Sequence, residues 1–290
     1  MSDRRPATLQ LPVMSDVAPD HPNLDQPYLI AVVEGARLAV PSAWASEMIV
    51  LPAVSALPLA PPAVRGIGMR RGRTVTMLDA RIRLGYPSRR AETDALVALL
   101  EAREADHVRW VDTLLECIDH DRPFTLARDP HACAFGRWYD HYVPPTLALK
   151  QHMAKFDEPH RAVHALADEA EQLLRTEGKA AAHERIEIFR SISLGRMRQL
   201  FRDARRLVQE DVREIVITHE TDGQIVGLIV DEVEAVERLR PDTLEDLSGR
   251  VPGADEGLVR WSARTAKDLV VVLPDMDALI DDVVPAMAMA

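Results

Sequence analysis

The sequence predicts an α+β protein in which one β domain, written in two separate segments, is interrupted by a helical bundle. Three observations carry this. Short valine- and isoleucine-rich pieces bounded by glycine and proline occupy 28–87 and return over 214–274. Helical periodicity fills the stretch between Ala91 and Asp211. Neither β segment, at roughly 60–70 residues without disulfides, buries enough surface to stand alone. The expected parts are a tail over 1–25, a first β segment over 26–88, a helical insert over 89–212 and a second β segment over 213–290.

Taken in order, the tail carries Pro6, Pro12, Pro19 and Pro22 among small and polar residues, with no sustained period, and is expected to be mobile. From Tyr28 the pieces YLIAVVEG, RLAVP and EMIVLP read as strands, with Gly35 a turn between the first two. After the proline-rich PLAPPAV, RTVTML is another strand, Gly72 a turn residue before it, and the β reading stops at Pro87. Helices are expected over Ala91–Asp119, Pro144–Phe156 and Asp157–Glu177, the last two sharing a break near Pro159 and closing at Gly178. PHACAFGRWYD reads as a turn between helices. A final helix places Ile186, Phe189, Ser193, Met197, Leu200, Ala204 and Val208 on one face. EIVITHETDGQIVGLIVDEVEAVERL then reads as two strands about an Asp222–Gly223 hairpin. DLVVVLP is a last strand before a short helix at Met276–Asp282.

Composition removes several function classes. A formal charge of −11 and a pI near 5.4 speak against a nucleic-acid partner, which needs a basic face. Two cysteines, Cys117 and Cys133, make no disulfide framework and fit a reducing compartment. No apolar run approaches the roughly twenty residues of a membrane span, nor does the N-terminus carry a signal-peptide core. The expectation is a cytoplasmic protein without membrane insertion.

The chemistry concentrates between His107 and His164. In EPHRAVH, His160 and His164 are four residues apart, so both imidazoles leave one helix face a turn apart. Ala167 and Leu174 continue that stripe, which turns the pair inward. His107 lies on a stripe of Leu96, Leu100, Val111, Leu114 and Ile118, and so also points at a core. With Cys133 from the intervening turn, three imidazoles and one thiolate make a full tetrahedral shell for zinc. Each piece alone also has an ordinary reading, as a core histidine or a buried thiol. Cys117 lies off the His107 face and is not expected to matter.

HVRW, CAFGRW and HRAVH, in this order and spacing, resemble the chemoreceptor zinc-binding domain, a helical bundle with a zinc core of three histidines and one cysteine. The resemblance covers about 90–212 and implies His107, Cys133, His160 and His164 as ligands of one zinc per chain, with Trp110 and Trp138 as packing residues. A second resemblance is carried by Val64-Arg65-Gly66, Arg71-Gly72, LDARIRLG and VGLIVDEVEAV. These are similar to the CheW-like domain, a β-barrel adaptor of two small barrels that couples chemoreceptors to a CheA-type histidine kinase, over about 26–88 and 213–284. The chain departs from that family's usual NLRG and following proline at Met69, Arg70, Arg71, Gly72 and Thr76, and LPDMDALI replaces an LDL-type ending. The fold is expected to survive these changes, which bear on the customary docking contacts.

The function expected from these readings is a non-enzymatic chemosensory adaptor that docks a receptor or kinase and senses zinc or oxidant. Two other readings stand beside it: a scaffold with purely structural zinc, and a zinc hydrolase. Catalytic zinc keeps an open position and a nearby base. Here a fourth ligand is at hand, and Arg161 stands where a metalloprotease carries glutamate.

Overall fold

The structure is a computed structural model that describes residues 21–210, 213–221, 223–248, 250 and 258–281. The bulk of the expected tail, Asp211, Asp222 and Asp282 lie outside the described residues. The chain divides into two compact units, one built from the segments up to Leu84 and from Ile215 onward, the other from Gly85–Glu214.

The β unit holds two six-stranded sheets. One has the order β10-β11-β12-β2-β1-β9, formed by Leu239–Asp246, Val259–Thr265, Val270–Pro274, Ala36–Pro41, Tyr28–Val33 and Glu232–Glu237. The other runs β3-β7-β8-β6-β5-β4, formed by Glu47–Val50, Ile215–Thr221, Gln224–Val230, Arg73–Asp79, Val64–Arg70 and Val54–Ser55. Both sheets draw strands from both segments: β1 pairs with β9, β3 with β7, and β6 lies parallel to β8. This is the physical sense in which the two segments complete one another.

The continuous apolar runs follow from burial on both faces of each sheet. Along β1, Leu29, Ala31 and Val33 enter the core shared with Leu78, Ile217, Leu228 and Leu279. Tyr28 and Ile30, one residue out of phase, join a second cluster with Ala39, Leu239, Val271 and Leu273. The other sheet does the same, with Leu228 and Val230 in the shared core and Ile229 in a third cluster beside Val75, Met77 and Val216. A strand with period-2 side chains and no polar face reads as an unbroken apolar run. Gly66 (φ 140°) admits no side chain, since a Cβ there would lie 2.1 Å from the Ser55 carbonyl oxygen.

Several expectations are refined. Residues 21–25, placed in the tail, are anchored: Tyr28 Oη donates to the Asn23 carbonyl at 2.7 Å and Leu24 packs on the second cluster. LDARIRLG does not continue a strand, because Asp79 caps a short helix α1 (Ala80–Arg83) by accepting from the Arg81 and Ile82 amides. β4, β5, β9, β10 and β11 are not expected as separate strands; β4 has two residues, Gly66 and Gly68 obscure β5, and β9 follows β8 after Asp231 alone, so one apolar run covers both. DLVVVLP forms β12, and the closing helix α8 spans Met276–Ile280.

The helical unit contains α2 (Arg89–Asp119), α3 (Ala134–Tyr139), α4 (Leu147–Met153), a 3₁₀ turn at Ala154–Phe156, α5 (Asp157–Thr176), α6 (Lys179–Phe189), a π turn at Arg190–Leu194 and α7 (Gly195–Glu210). The break between α4 and α5 is that 3₁₀ turn and not Pro159. Pro159 sits in the first turn of α5, where its missing N–H has no helical acceptor to lose. Likewise the last helical stripe slips: Leu194 is buried and Ser193 only half-buried, because the π turn inserts one residue between Phe189 and the next inward position.

Because the sheets are completed by both segments, replacing 90–212 with a short flexible linker is expected to leave a folded β unit. Circular dichroism of the deletion variant checks this; an unfolded variant beside a folded parent would contradict it.

Candidate metal centre

His107 on α2, and His160 and His164 on α5, are buried, and Cys133 is half-buried. The four sequence-predicted residues come together, with one nitrogen from each imidazole and the Cys133 Sγ all within 4.8 Å of one another. Bond lengths of about 2.0–2.3 Å put donor pairs in a tetrahedral zinc shell about 3.3–3.7 Å apart. The cluster is therefore close to the size of one coordination sphere. Cys117 is not among these residues; it is half-buried, its thiol 3.7 Å from the Pro123 carbonyl.

Each donor is placed by its local structure. The α2 and α5 stripes put the three histidines on faces that pack into one core with Val111, Leu114, Val163 and Phe201. PHACAFGRWYD is not the plain turn expected, because Cys133 is the N-cap of α3. Its Sγ accepts from the Gly136 amide at 3.1 Å and lies 3.2 Å from His160 Nε2. Gly136 is required by close contact, since a Cβ there would fall 1.9 Å from the Pro130 carbonyl oxygen. Trp110 is buried against Phe124 and the His164 ring, and Trp138 stacks on Tyr142.

Two further participants leave no mark in the sequence, because both are main-chain carbonyls. His107 Nδ1 lies 2.7 Å from the Arg103 carbonyl and His164 Nδ1 2.9 Å from that of Ala127, which also accepts from Trp110 Nε1 at 2.8 Å. Each carbonyl can accept only from a protonated Nδ1, which leaves Nε2 as the lone-pair nitrogen. In both residues Nε2 is buried without a hydrogen-bond partner. Two buried, unpaired, correctly tautomerised nitrogens are costly in a protein core, and a metal ion between them removes that cost. The donor set fits zinc.

Burial pushes the His107 imidazole down to about 4 and His160 to about 3, each reinforced by neighbouring histidines in the cluster, and lowers His164 as well. The imidazoles are thus neutral and need lose no proton to act as donors. Burial raises the Cys133 thiol, against the lowering effect of the Gly136 and Phe135 amides, so the sulfur is protonated near neutral pH. Metal uptake must then displace one proton, from sulfur. Zinc affinity is expected to rise about tenfold per pH unit from roughly pH 5 to 8, and to fall more steeply below about pH 4, where the imidazoles also take protons. Calorimetry in buffers of different ionisation enthalpy should return about one proton released per zinc.

A β unit built from two chain segments, and between them a helical unit with a buried three-histidine, one-cysteine cluster, define the class: a two-segment β scaffold with a candidate metal-binding bundle. The CheW-like domain family model matches residues 27–121 and 190–284, and that of the chemoreceptor zinc-binding domain matches 107–171, inside the first. The chain belongs to the CheW-like domain family, which places it among chemotaxis signalling adaptors. Among solved structures, the scaffolding protein TtCheW from Thermoanaerobacter tengcongensis is similar at 12% identity, over 90% of this chain and 90% of its own, with a TM-score of 0.41. No curated protein matches. Among the described residues, no helix is long and apolar enough to cross a membrane.

Proposed function

We propose that this chain is a non-enzymatic chemosensory adaptor whose β scaffold docks a chemoreceptor or a CheA-type histidine kinase, and whose helical unit holds one zinc on His107, Cys133, His160 and His164 and reports zinc or oxidant. The observation that carries the reading is the pair of buried, unpaired Nε2 atoms of His107 and His164 facing Cys133 within a member of an adaptor family. Bound zinc would hold Cys133 as a thiolate, the form that oxidants attack. A peroxide would transfer one oxygen to that sulfur, giving sulfenate and water, and so remove the only anionic donor. A four-donor shell leaves no open position for substrate, which favours a sensing or structural role over hydrolysis.

The departures from the usual family pattern fall at the surface in the hairpin 69–72 and inside the sheet at Thr76. Met69 is exposed, and Arg70 and Arg71 both pair with Glu47 across the sheet, while Thr76 is buried in β6. The docking contacts at this hairpin differ in chemistry from an NLRG turn. The test is binding of the zinc-loaded, zinc-stripped and mildly oxidised chain to receptor cytoplasmic fragments and kinase fragments. Binding that changes with metal state is the expected result; no binding to either partner class overturns the adaptor reading, and binding indifferent to metal state leaves a scaffold with structural zinc.

A further inference from the structure

We infer that the outer ridge of α6, the π turn and α7 is a self-recognition surface, on which a second copy of this chain docks antiparallel about a two-fold axis beside Ser193. The ridge follows Glu184, Ile188, Ile192, Gly195, Gln199 and Arg202 in steps of three and four, so these residues form one line on the helix surface. It lies opposite the buried line of Ile186, Leu194, Met197 and Phe201.

Three features of the ridge are unexplained by the monomer. Its centre is apolar and open to water, with Ile188 48% and Ile192 67% exposed. Beside them Gly195 sits in ordinary helical backbone (φ −57°), and a Cβ there would meet only the Arg190 carbonyl oxygen, 4.0 Å away. Neither internal packing nor backbone conformation calls for glycine, which costs about 0.5–1 kcal/mol relative to alanine inside a helix. A helix approaching from outside does call for it. Finally, Glu184 and Arg202 are both exposed, and among the described residues neither forms an ion pair, Arg202 donating only to the Gln199 side chain.

These two charges lie at equal distances from Ser193 along the chain, one on each side. Antiparallel pairing about Ser193 sets Glu184 against the partner copy's arginine at 202, twice by symmetry. The same register places Ser191 against the facing glycine, where two small residues let backbones approach, and brings the two Ile192 side chains together. A parallel pairing would instead set like charges on like. The chain's net charge of −11 disfavours a polyanion as the occupant of the basic end.

Sedimentation equilibrium of the full chain tests this. The parent is expected to dimerise in a concentration-dependent way. Glu184→Arg and Arg202→Glu should each weaken the dimer by at least about tenfold, since each sets like charges together at two places. The double variant, with the charges exchanged, should return to within about threefold of the parent, which a general loss of fold cannot do. Gly195→Ala should weaken the dimer by at least about threefold without lowering the thermal midpoint, because within the monomer a Cβ there meets only the Arg190 carbonyl oxygen at 4.0 Å and alanine is the better helix former. A chain that stays single at every concentration, a dimer indifferent to the single substitutions, or a double variant that fails to recover would overturn the inference.

Discussion

Purified chain is expected to carry one zinc, and stripping it should bring the helical unit close to its unfolding midpoint at room temperature. Structural zinc contributes about 10–16 kcal/mol in small peptides, comparable with the whole stability of a typical domain, about 5–15 kcal/mol. The other ties across the same elements are weaker. Arg128 binds Asp168 and Glu171, Arg190 binds Asp112, and Arg205 binds Glu104, but partly exposed ion pairs contribute only about 0–1 kcal/mol each. His164→Ala and Cys133→Ala are each expected to lower zinc affinity by more than about a hundredfold, beyond the 10–100-fold typical of losing an outer-shell partner. A cobalt-substituted sample should show a thiolate-to-metal absorption band that disappears in Cys133→Ala and survives in Cys117→Ser. Metal content indifferent to His164→Ala would show the donor set to be wrong.

Periodicity made the four donors legible because helix faces are set by spacing alone: His160 and His164 had to share a face, and Leu100, Val111 and Leu114 told which way His107 pointed. The alternation between strand and helix was equally readable, since valine-rich runs end where the 3.6-residue period begins. Features that depend on tertiary contact were not readable. The carbonyls of Arg103 and Ala127 have no side-chain signature, and Gly136 looks like any helix breaker until Pro130 is seen against it. β10 and β11 carry Arg240, Asp242, Arg260 and Arg264 at exposed or half-buried positions, so no apolar run announced them. The π turn is invisible because one extra residue between Phe189 and Leu194 imitates an ordinary slip of the helical stripe.

Oxidation or stripping of the metal centre is expected to change the chain's affinity for its docking partner by a coupling of about 1–3 kcal/mol, or roughly 5–150-fold. The reason lies in where the donors sit. His107 belongs to α2, Cys133 caps α3, and His160 and His164 belong to α5, so a single ion would tie three elements that packing alone leaves able to shift. Phe201 of α7 lies against His107 and Phe135, with ring centroids 6.1 and 5.3 Å away. Movement of Cys133 or His107 therefore reaches α7 directly. α2 and α7 are also the first and last long helices of the unit, joined through the chain to α1 and β7 of the β scaffold. Under the proposed function, loosening them would shift a population between docking-competent and incompetent states, to the extent that the partner distinguishes the two. Linkage makes this reciprocal. Titrating zinc against the full chain with and without a saturating receptor or kinase fragment measures it directly. Zinc dissociation constants should differ between the two titrations by the same factor by which zinc changes partner affinity; equal zinc affinities would contradict this coupling.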